Sequence, residues 1–388
     1  MATASTTKAA PSDAKSAPRN TILEGDALAM LRSLPSRSVQ CVITSPPYYG
    51  LRDYGTPGQY GLEPTLDGYL DRMVAVFDEV FRVLRPDGVC WLNIGDSYAG
   101  SWGNYAPGGI KGQQRTQTEE GKRWERKAYG DTMMLPPTAK PQRGIKAKDL
   151  LLVPFRLALA LQTAGWYVRS DIIWHKPAPM PESVQDRPTR AHEYIFLLTR
   201  SERYHYDAAA IREPAKDADR AERISAPSNW SMADGAHGTI HPLVRGRRAD
   251  KQRGHSRRHA GFNDRWDAMT HAEQMAHGCN KRDVWTVAAA NFPEAHYATF
   301  PPALIEPMVL AGSRPGDLIL DPFMGSGTVG VVARQLGRDY LGIELNHEYA
   351  EMARRRIAEE GRPVVLKRKQ RHEMRQAGVT QASLLDVV

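Results

Sequence analysis

The chain has 388 residues, 41% of them hydrophobic and 25% charged, and its 52 Lys and Arg against 44 Asp and Glu leave a formal net charge of +8. This length holds two or three domains, or one α/β domain with large insertions. No apolar run approaches the ~18 residues that cross a bilayer, so a soluble, cytoplasmic protein is expected. The three cysteines, Cys41, Cys90 and Cys279, have neither zinc spacing nor a disulfide framework, and no metal is expected.

Residues 1–20 lack the apolar core of a signal peptide and read as a disordered tail. In residues 21–99, "TILEG" reads as a strand, and Asp26 before "ALAML" suits a helix N-cap. The strand "QCVITS" then runs into Ser45-Pro46-Pro47-Tyr48. An amphipathic helix, "LDGYLDRMVAVFDEVFRVL", and the strand "GVCWLNIG" follow. Residues 100–148 are polar and basic, too long for an ordinary loop, and read as an insertion. Residues 149–212 supply a helix, "KDLLLVPFRLALALQTAG", and the strands "WYVRSDIIWHK" and "EYIFLLTR". Within them, Trp174-His175-Lys176-Pro177 reads equally as a strand end facing DNA or as a solvated edge.

Residues 213–282 form a second insertion. Its run "RGRRADKQRGHSRRH" carries Arg245, Arg247, Arg248, Lys251, Arg253, Arg257 and Arg258, a density that suits the phosphates of double-stranded DNA, although a disordered polar loop has the same composition. Residues 283–359 hold the strands "GDLILDP" and "RDYLGIEL" around a helix from Val329 to Leu336, and residues 360–388 form a basic tail. Seven short apolar strands alternating with helices predict a doubly wound, mostly parallel α/β sheet.

The stretch from Asp321 to Glu344 is the strongest strand-turn-helix unit. Its Gly325-Ser326-Gly327 turn lets backbone approach a ligand, and Glu344, closing the next strand, can accept hydrogen bonds from ribose hydroxyls. "GSGTVG" also fits the dinucleotide fingerprint, which keeps a nicotinamide dehydrogenase in view. Asp321-Pro322-Phe323 shifts the balance and leaves that the more distant alternative. A carboxylate at the strand tip would repel a pyrophosphate but suits an ammonium, so S-adenosylmethionine is the better cofactor.

Methylating an exocyclic amino group requires acceptors for its two N–H bonds and a rigidly held base. The Ser45 hydroxyl and the Pro46 carbonyl can be those acceptors, Pro46 and Pro47 stiffen the turn, and Tyr48 can stack on a base rotated out of the duplex. "TSPPY", "DPFMGSGT" and "LGIELN" together resemble the DNA methyltransferases that modify N4 of cytosine or N6 of adenine. "IIWHKPAPMPESVQDRPTRAHEYIFLLTRSERYHYD" and "HYATFPPALIEPMVLAGS" extend the resemblance over most of the chain. The order of the motifs is similar to that of the family's permuted β class.

The resemblance implies a circularly permuted, seven-stranded Rossmann-like sheet, with the strand ending in Asp321 first and the one near Asp26 third. It places Asp321, Pro322, Phe323, Gly325, Ser326, Gly327, Thr328 and Glu344 on S-adenosylmethionine. It also puts the segment from His296 to Pro302, with Thr299, against the methionine end, and Asp26 near the adenine. The implied partners are DNA, recognised through residues 213–282, and a cognate restriction endonuclease; monomer and homodimer both stay open. Family members acting on cytosine N4 mostly carry Ser at the position of Ser45, and those acting on adenine mostly Asp or Asn. N4-cytosine is therefore expected, with N6-adenine as the alternative. C5 methylation would need a nucleophilic cysteine, usually after a proline, and none of the three cysteines follows one. A non-enzymatic DNA-binding module would not need both motifs.

Overall fold

The computed structural model describes residues 16–99, 145–146, 148–213, 278–289 and 300–362. The Arg245–Arg258 run, His296, Thr299 and most of both insertions and both tails lie outside the described residues. The chain divides into two units, Met1–Ala210 with Arg282–Val388, and Ile211–Lys281. In the second, Glu213 and Cys279 form an antiparallel bridge, and Lys281 lies 3.7 Å from the Glu213 carboxylate.

The first unit runs β1 (Thr21–Glu24), α1 (Ala27–Ser33), β2 (Val39–Thr44), α2 (Leu66–Val83), β3 (Leu84–Ile94), α3 (Val153–Thr163), β4 (Tyr167–His175) and β5 (His192–Thr199). It continues with β6 (Val284–Thr286), α4 (Pro302–Gly312), β7 (Leu318–Asp321), α5 (Thr328–Gln335), β8 (Asp339–Glu344) and α6 (His347–Glu360). The sheet order is β1-β8-β7-β2-β3-β5-β4-β6. All seven expected strands form, and the described residues add an eighth. That strand, β6, has three residues and pairs in parallel with β4, too short to leave an apolar run in the sequence. Pairing is parallel except around β5, which runs antiparallel to both β3 and β4. The N-terminal β1 pairs with the C-terminal β8, Thr21 opposite Leu341.

Every residue of β2 is buried, as expected of a parallel strand covered on both faces. On one face Val42, Leu92 and Leu320 share a core with Leu31 of α1, Phe77 of α2 and Leu157 of α3. Helix α2 starts where the Thr65 side chain accepts from the Gly68 N–H, and it buries Tyr69, Met73, Val76, Phe77, Val80 and Val83 at helical spacing. Each such side chain gains about 1.5–3 kcal/mol from burial. On the other face α4 lies directly on the sheet. A β-carbon on Gly312 would stand 2.7 Å from Val89 and 2.9 Å from Cys41.

Strands β7 and β2 are neighbours, with Cys41 opposite Ile319 and Val42 opposite Leu320. From there the chain order runs outward in both directions, which makes this the switch point where open α/β sheets bind ligands at strand C-termini. Asp321 ends β7 and Thr44 ends β2.

Candidate active site

The two motifs meet at that switch point. Thr44 Oγ1 donates to Asp321 Oδ1 at 2.7 Å, and the Phe323 N–H donates to the same oxygen at 3.0 Å. Asp321 is 1% exposed, and its Oδ2 finds no hydrogen-bond partner among the described residues. Burial pushes its carboxyl up to about 7, against the pull of these two hydrogen bonds, and the nearby Glu344 adds to the rise. A buried acceptor left unpaired is what a ligand's ammonium would satisfy.

The glycine turn follows. Gly325 and Gly327 take φ of +51° and +83°, where residues with a side chain are strained. They serve different ends. A β-carbon on Gly327 would lie 2.9 Å from that of Ala353, so this glycine lets α6 approach. On Gly325 it would meet nothing nearer than the Phe323 carbonyl at 4.0 Å, so this side of the turn is open. Glu344 braces the turn, accepting from the Gly325 N–H at 2.7 Å and the Asn346 N–H at 2.9 Å, and burial pushes its carboxyl up. Each oxygen keeps a lone pair for a further donor. Ser326 and Thr328, expected on the cofactor, are both bonded through their side chains to α6. Arg356 of α6 donates to Ser326 Oγ at 3.2 Å and Thr328 Oγ1 at 2.9 Å, so their side chains tie the turn to the helix behind it.

Asp26 performs its capping role, with Oδ1 accepting from the Ala29 N–H at 2.9 Å. Its Oδ2 accepts from the Tyr60 hydroxyl at 2.9 Å. The Tyr60 ring meets Phe323 edge-on at 5.5 Å, and the Arg72 guanidinium lies 4.0 Å over it. Burial and the Asp26 hydrogen bond push the Tyr60 phenol up to about 12. The packing partner of Tyr60 is thus the Asp321-Pro322-Phe323 turn. Asn346 also donates to Thr56 Oγ1 at 3.1 Å, so the segment after the SPPY turn touches the glycine-turn half of the site twice.

At the end of β2, Tyr69 Oη of α2 donates to the Pro47 carbonyl at 2.9 Å and fixes the turn. Ser45 Oγ donates to Tyr48 Oη at 3.2 Å, and Tyr48 Oη donates to Glu193 Oε2 at 2.6 Å. Asn93 Nδ2, near the end of β3, donates to Ser45 Oγ at 3.3 Å, Tyr48 Oη at 2.8 Å and Glu193 Oε2 at 3.0 Å. Lys176 Nζ bonds the other Glu193 oxygen and lies 4.3 Å over the Trp174 ring. Burial alone would raise the Glu193 carboxyl, but the Lys176 ammonium and the bonds from Tyr48 and Asn93 outweigh it and hold the group below the usual carboxylate range. Burial and the Glu193 charge push the Tyr48 phenol well up. Gly95 sits against the Tyr48 ring, since a β-carbon there would come within 2.6 Å of it.

Asn93, Lys176 and Glu193 escape sequence reading. Lys176 turns its ammonium to Glu193, with its side chain 20% exposed. The available signal is a lysine closing one apolar strand and a glutamate opening the next. Antiparallel pairing brings these together, with His175 opposite His192 and Trp174 opposite Glu193. Cys41 and Cys90 are buried, and burial pushes both thiols well above their usual range. Among the described residues, Glu24, His347 and Glu351 are near enough to share a metal ion, but they are exposed and Arg354 bonds both glutamates.

A family model described as DNA methylase, of the N6/N4 type, matches residues 39–355. The type II methyltransferase M.Cfr9I of Citrobacter freundii is 42% identical over 346 residues, 89% of this chain and 90% of that protein. M.XycI of Xanthomonas campestris pv. cyanopsidis is 43% identical over 339 residues, 87% of each. Among solved structures, the PvuII DNA methyltransferase (cytosine-N4-specific) aligns over 94% of this chain and 93% of its own at 16% identity, with a TM-score of 0.51, a likeness of fold. The family match spans both motifs, and these relatives are matched over nearly their whole length: the chain belongs to the N6/N4 DNA methylase family.

Proposed function

We propose that this DNA methyltransferase uses S-adenosylmethionine to methylate N4 of a cytosine rotated out of double-stranded DNA, as the modification partner of a restriction endonuclease. The observation that carries the reading is the Ser45 hydroxyl, at the tip of the strand whose Thr44 holds Asp321. One motif would present the amino group and the other the methyl donor, one residue apart along β2.

The cofactor, when bound, supplies a methyl group on a sulfonium centre. Asp321 Oδ2 would take its ammonium, and Glu344, with a free lone pair on each oxygen, its ribose hydroxyls. The open face of Gly325 would admit it, and Phe323 with Tyr60 would form an apolar wall near Asp26. The Ser45 oxygen and the Pro46 carbonyl would accept the two amino hydrogens and so aim the nitrogen lone pair, with the Tyr48 ring against the base. A hydroxyl is a weaker acceptor than a carboxylate and directs the amine without ionising it. The presence of Ser45 rather than an acidic residue favours cytosine, on the family's pattern. That the relatives are type II methyltransferases supports the restriction-modification setting, and the order of motifs with the β1–β8 pairing supports the permuted arrangement. Arg245, Arg247, Arg248, Lys251, Arg253, Arg257 and Arg258 are proposed to meet phosphates.

DNA methylated by the purified protein, digested to nucleosides, resolved by liquid chromatography against standards and identified by mass spectrometry, tests the reading. N4-methylcytosine is expected. N6-methyladenine would replace the base assignment, and 5-methylcytosine would overturn the mechanism.

A further inference from the structure

We infer that Glu193 is the terminal acceptor of a proton relay that starts at the Ser45 hydroxyl and passes through the Tyr48 hydroxyl. The inference rests on the reading of Ser45 as the group that holds the target amine.

The donors fix the direction of the chain. Lys176 Nζ and Asn93 Nδ2 can only donate, and a carboxylate can only accept. The amide of Asn93 is oriented by the same logic, because turning it over would set its carbonyl oxygen against the Glu193 carboxylate. With Asn93 Nδ2 shared among Ser45, Tyr48 and Glu193, the hydroxyl protons are left one course. Ser45 gives its proton toward Tyr48, 3.2 Å away, and Tyr48 gives its own toward Glu193, 2.6 Å away. Glu193 starts β5, whose antiparallel run brings this end of the strand beside the end of β3, Tyr194 opposite Ile94.

An anion at the end of the chain makes the Ser45 oxygen a stronger acceptor as positive charge develops on the attacking nitrogen. The N–CH3 bond forms as the S–CH3 bond breaks, and the sulfonium becomes a neutral thioether. The proton leaving nitrogen goes to Ser45 Oγ, the proton of Ser45 to Tyr48 Oη, and that of Tyr48 to Glu193 Oε2. Both hydroxyls are restored, the methylated amine is neutral, and Glu193 becomes a carboxylic acid, so the charge lost at sulfur is balanced. Lys176 and Glu193, with side chains 20% and 16% exposed, give the proton a route to water.

Single-turnover methyl transfer to duplex DNA, at saturating cofactor, tests the relay in wild type, Tyr48→Phe, Glu193→Gln and the double variant. Tyr48→Phe keeps the ring and leaves the Lys176–Glu193 pair intact, so it guards against loss of the fold. Each single variant is expected to slow transfer about 10²-fold, while binding of S-adenosylmethionine and DNA stays within about threefold. The double variant is expected to be no slower than the worse single one, as for residues acting as a unit. A duplex with 5-fluorocytosine at the target supplies a second readout. The fluorine acidifies the amino group, so the deficit of Tyr48→Phe and Glu193→Gln should shrink on it. A Tyr48→Phe rate near wild type, or a deficit equal on both substrates, would overturn the relay. If the wild type itself leaves cytosine N4 unmethylated, the reading of the site falls and the relay with it.

Discussion

Two carboxylates near the same edge of the sheet, one buried and one half-buried, are set in opposite states. Among the described residues Asp321, at the tip of β7, has no cation beside it and its Oδ2 has no partner; burial lifts its carboxyl to about 7. Glu193, at the start of β5, has Lys176, Tyr48 and Asn93 around it and is held ionised. The difference lies in the compensating charge. Glu193 carries its own cation, whereas Asp321 is proposed to receive one from the cofactor.

Removing the cation on one side and the carboxylate on the other breaks the comparison most sharply. Lys176→Met should destabilise the fold by about 3 kcal/mol, the low end for a broken buried pair because this one is partly exposed, read as a lowered urea midpoint. Asp321→Asn should cost no stability at pH 8, because it removes an uncompensated buried charge. It should instead weaken S-adenosylmethionine binding by roughly 1.5–3 kcal/mol, measured calorimetrically. Equal stability losses in the two variants would contradict the distinction.

The pH dependence sharpens it further. The raised carboxyl of Asp321 binds a proton below about pH 7, and the protonated form cannot pair with an ammonium. Cofactor affinity should therefore be full above that value and fall by up to about tenfold per pH unit below it. Asp321→Asn should flatten the profile. The smallest effect separates the two glycines of the turn. Gly327→Ala meets Ala353 at 2.9 Å and should lower stability by about 1–3 kcal/mol. Gly325→Ala should cost about 1 kcal/mol or less in stability and act mainly on cofactor binding, since only its conformation opposes a side chain.

The Asp321 side of the site was legible in the sequence because it is local. Strand tip, glycine turn, helix and closing Glu344 follow one another within a single strand-turn-helix-strand unit, and the backbone geometry is written in residue types. Ser45 to Tyr48 were legible for the same reason. The Glu193 side was not, since Asn93, Lys176 and Glu193 come from three strands whose adjacency depends on β5 running antiparallel. Apolar periodicity marks a strand but carries no information about its neighbours or direction. Likewise β6, three residues paired with β4, has no pattern long enough to read. The Arg356 bonds to Ser326 and Thr328 were not legible either, because a hydroxyl in a glycine turn carries no sign in sequence of an arginine reaching it from the helix behind.

The central claim is that Ser45 holds the amino group while a separate set of residues holds the cofactor. Its most direct test is single-turnover transfer of a labelled methyl group from S-adenosylmethionine to DNA by Ser45→Ala, with cofactor affinity measured on the same preparation. The account predicts a rate lower by about 10²-fold, a cofactor affinity within about threefold of wild type, and label in N4-methylcytosine for whatever product forms. A rate equal to that of wild type, or a loss that appears in cofactor affinity rather than in transfer, would contradict it.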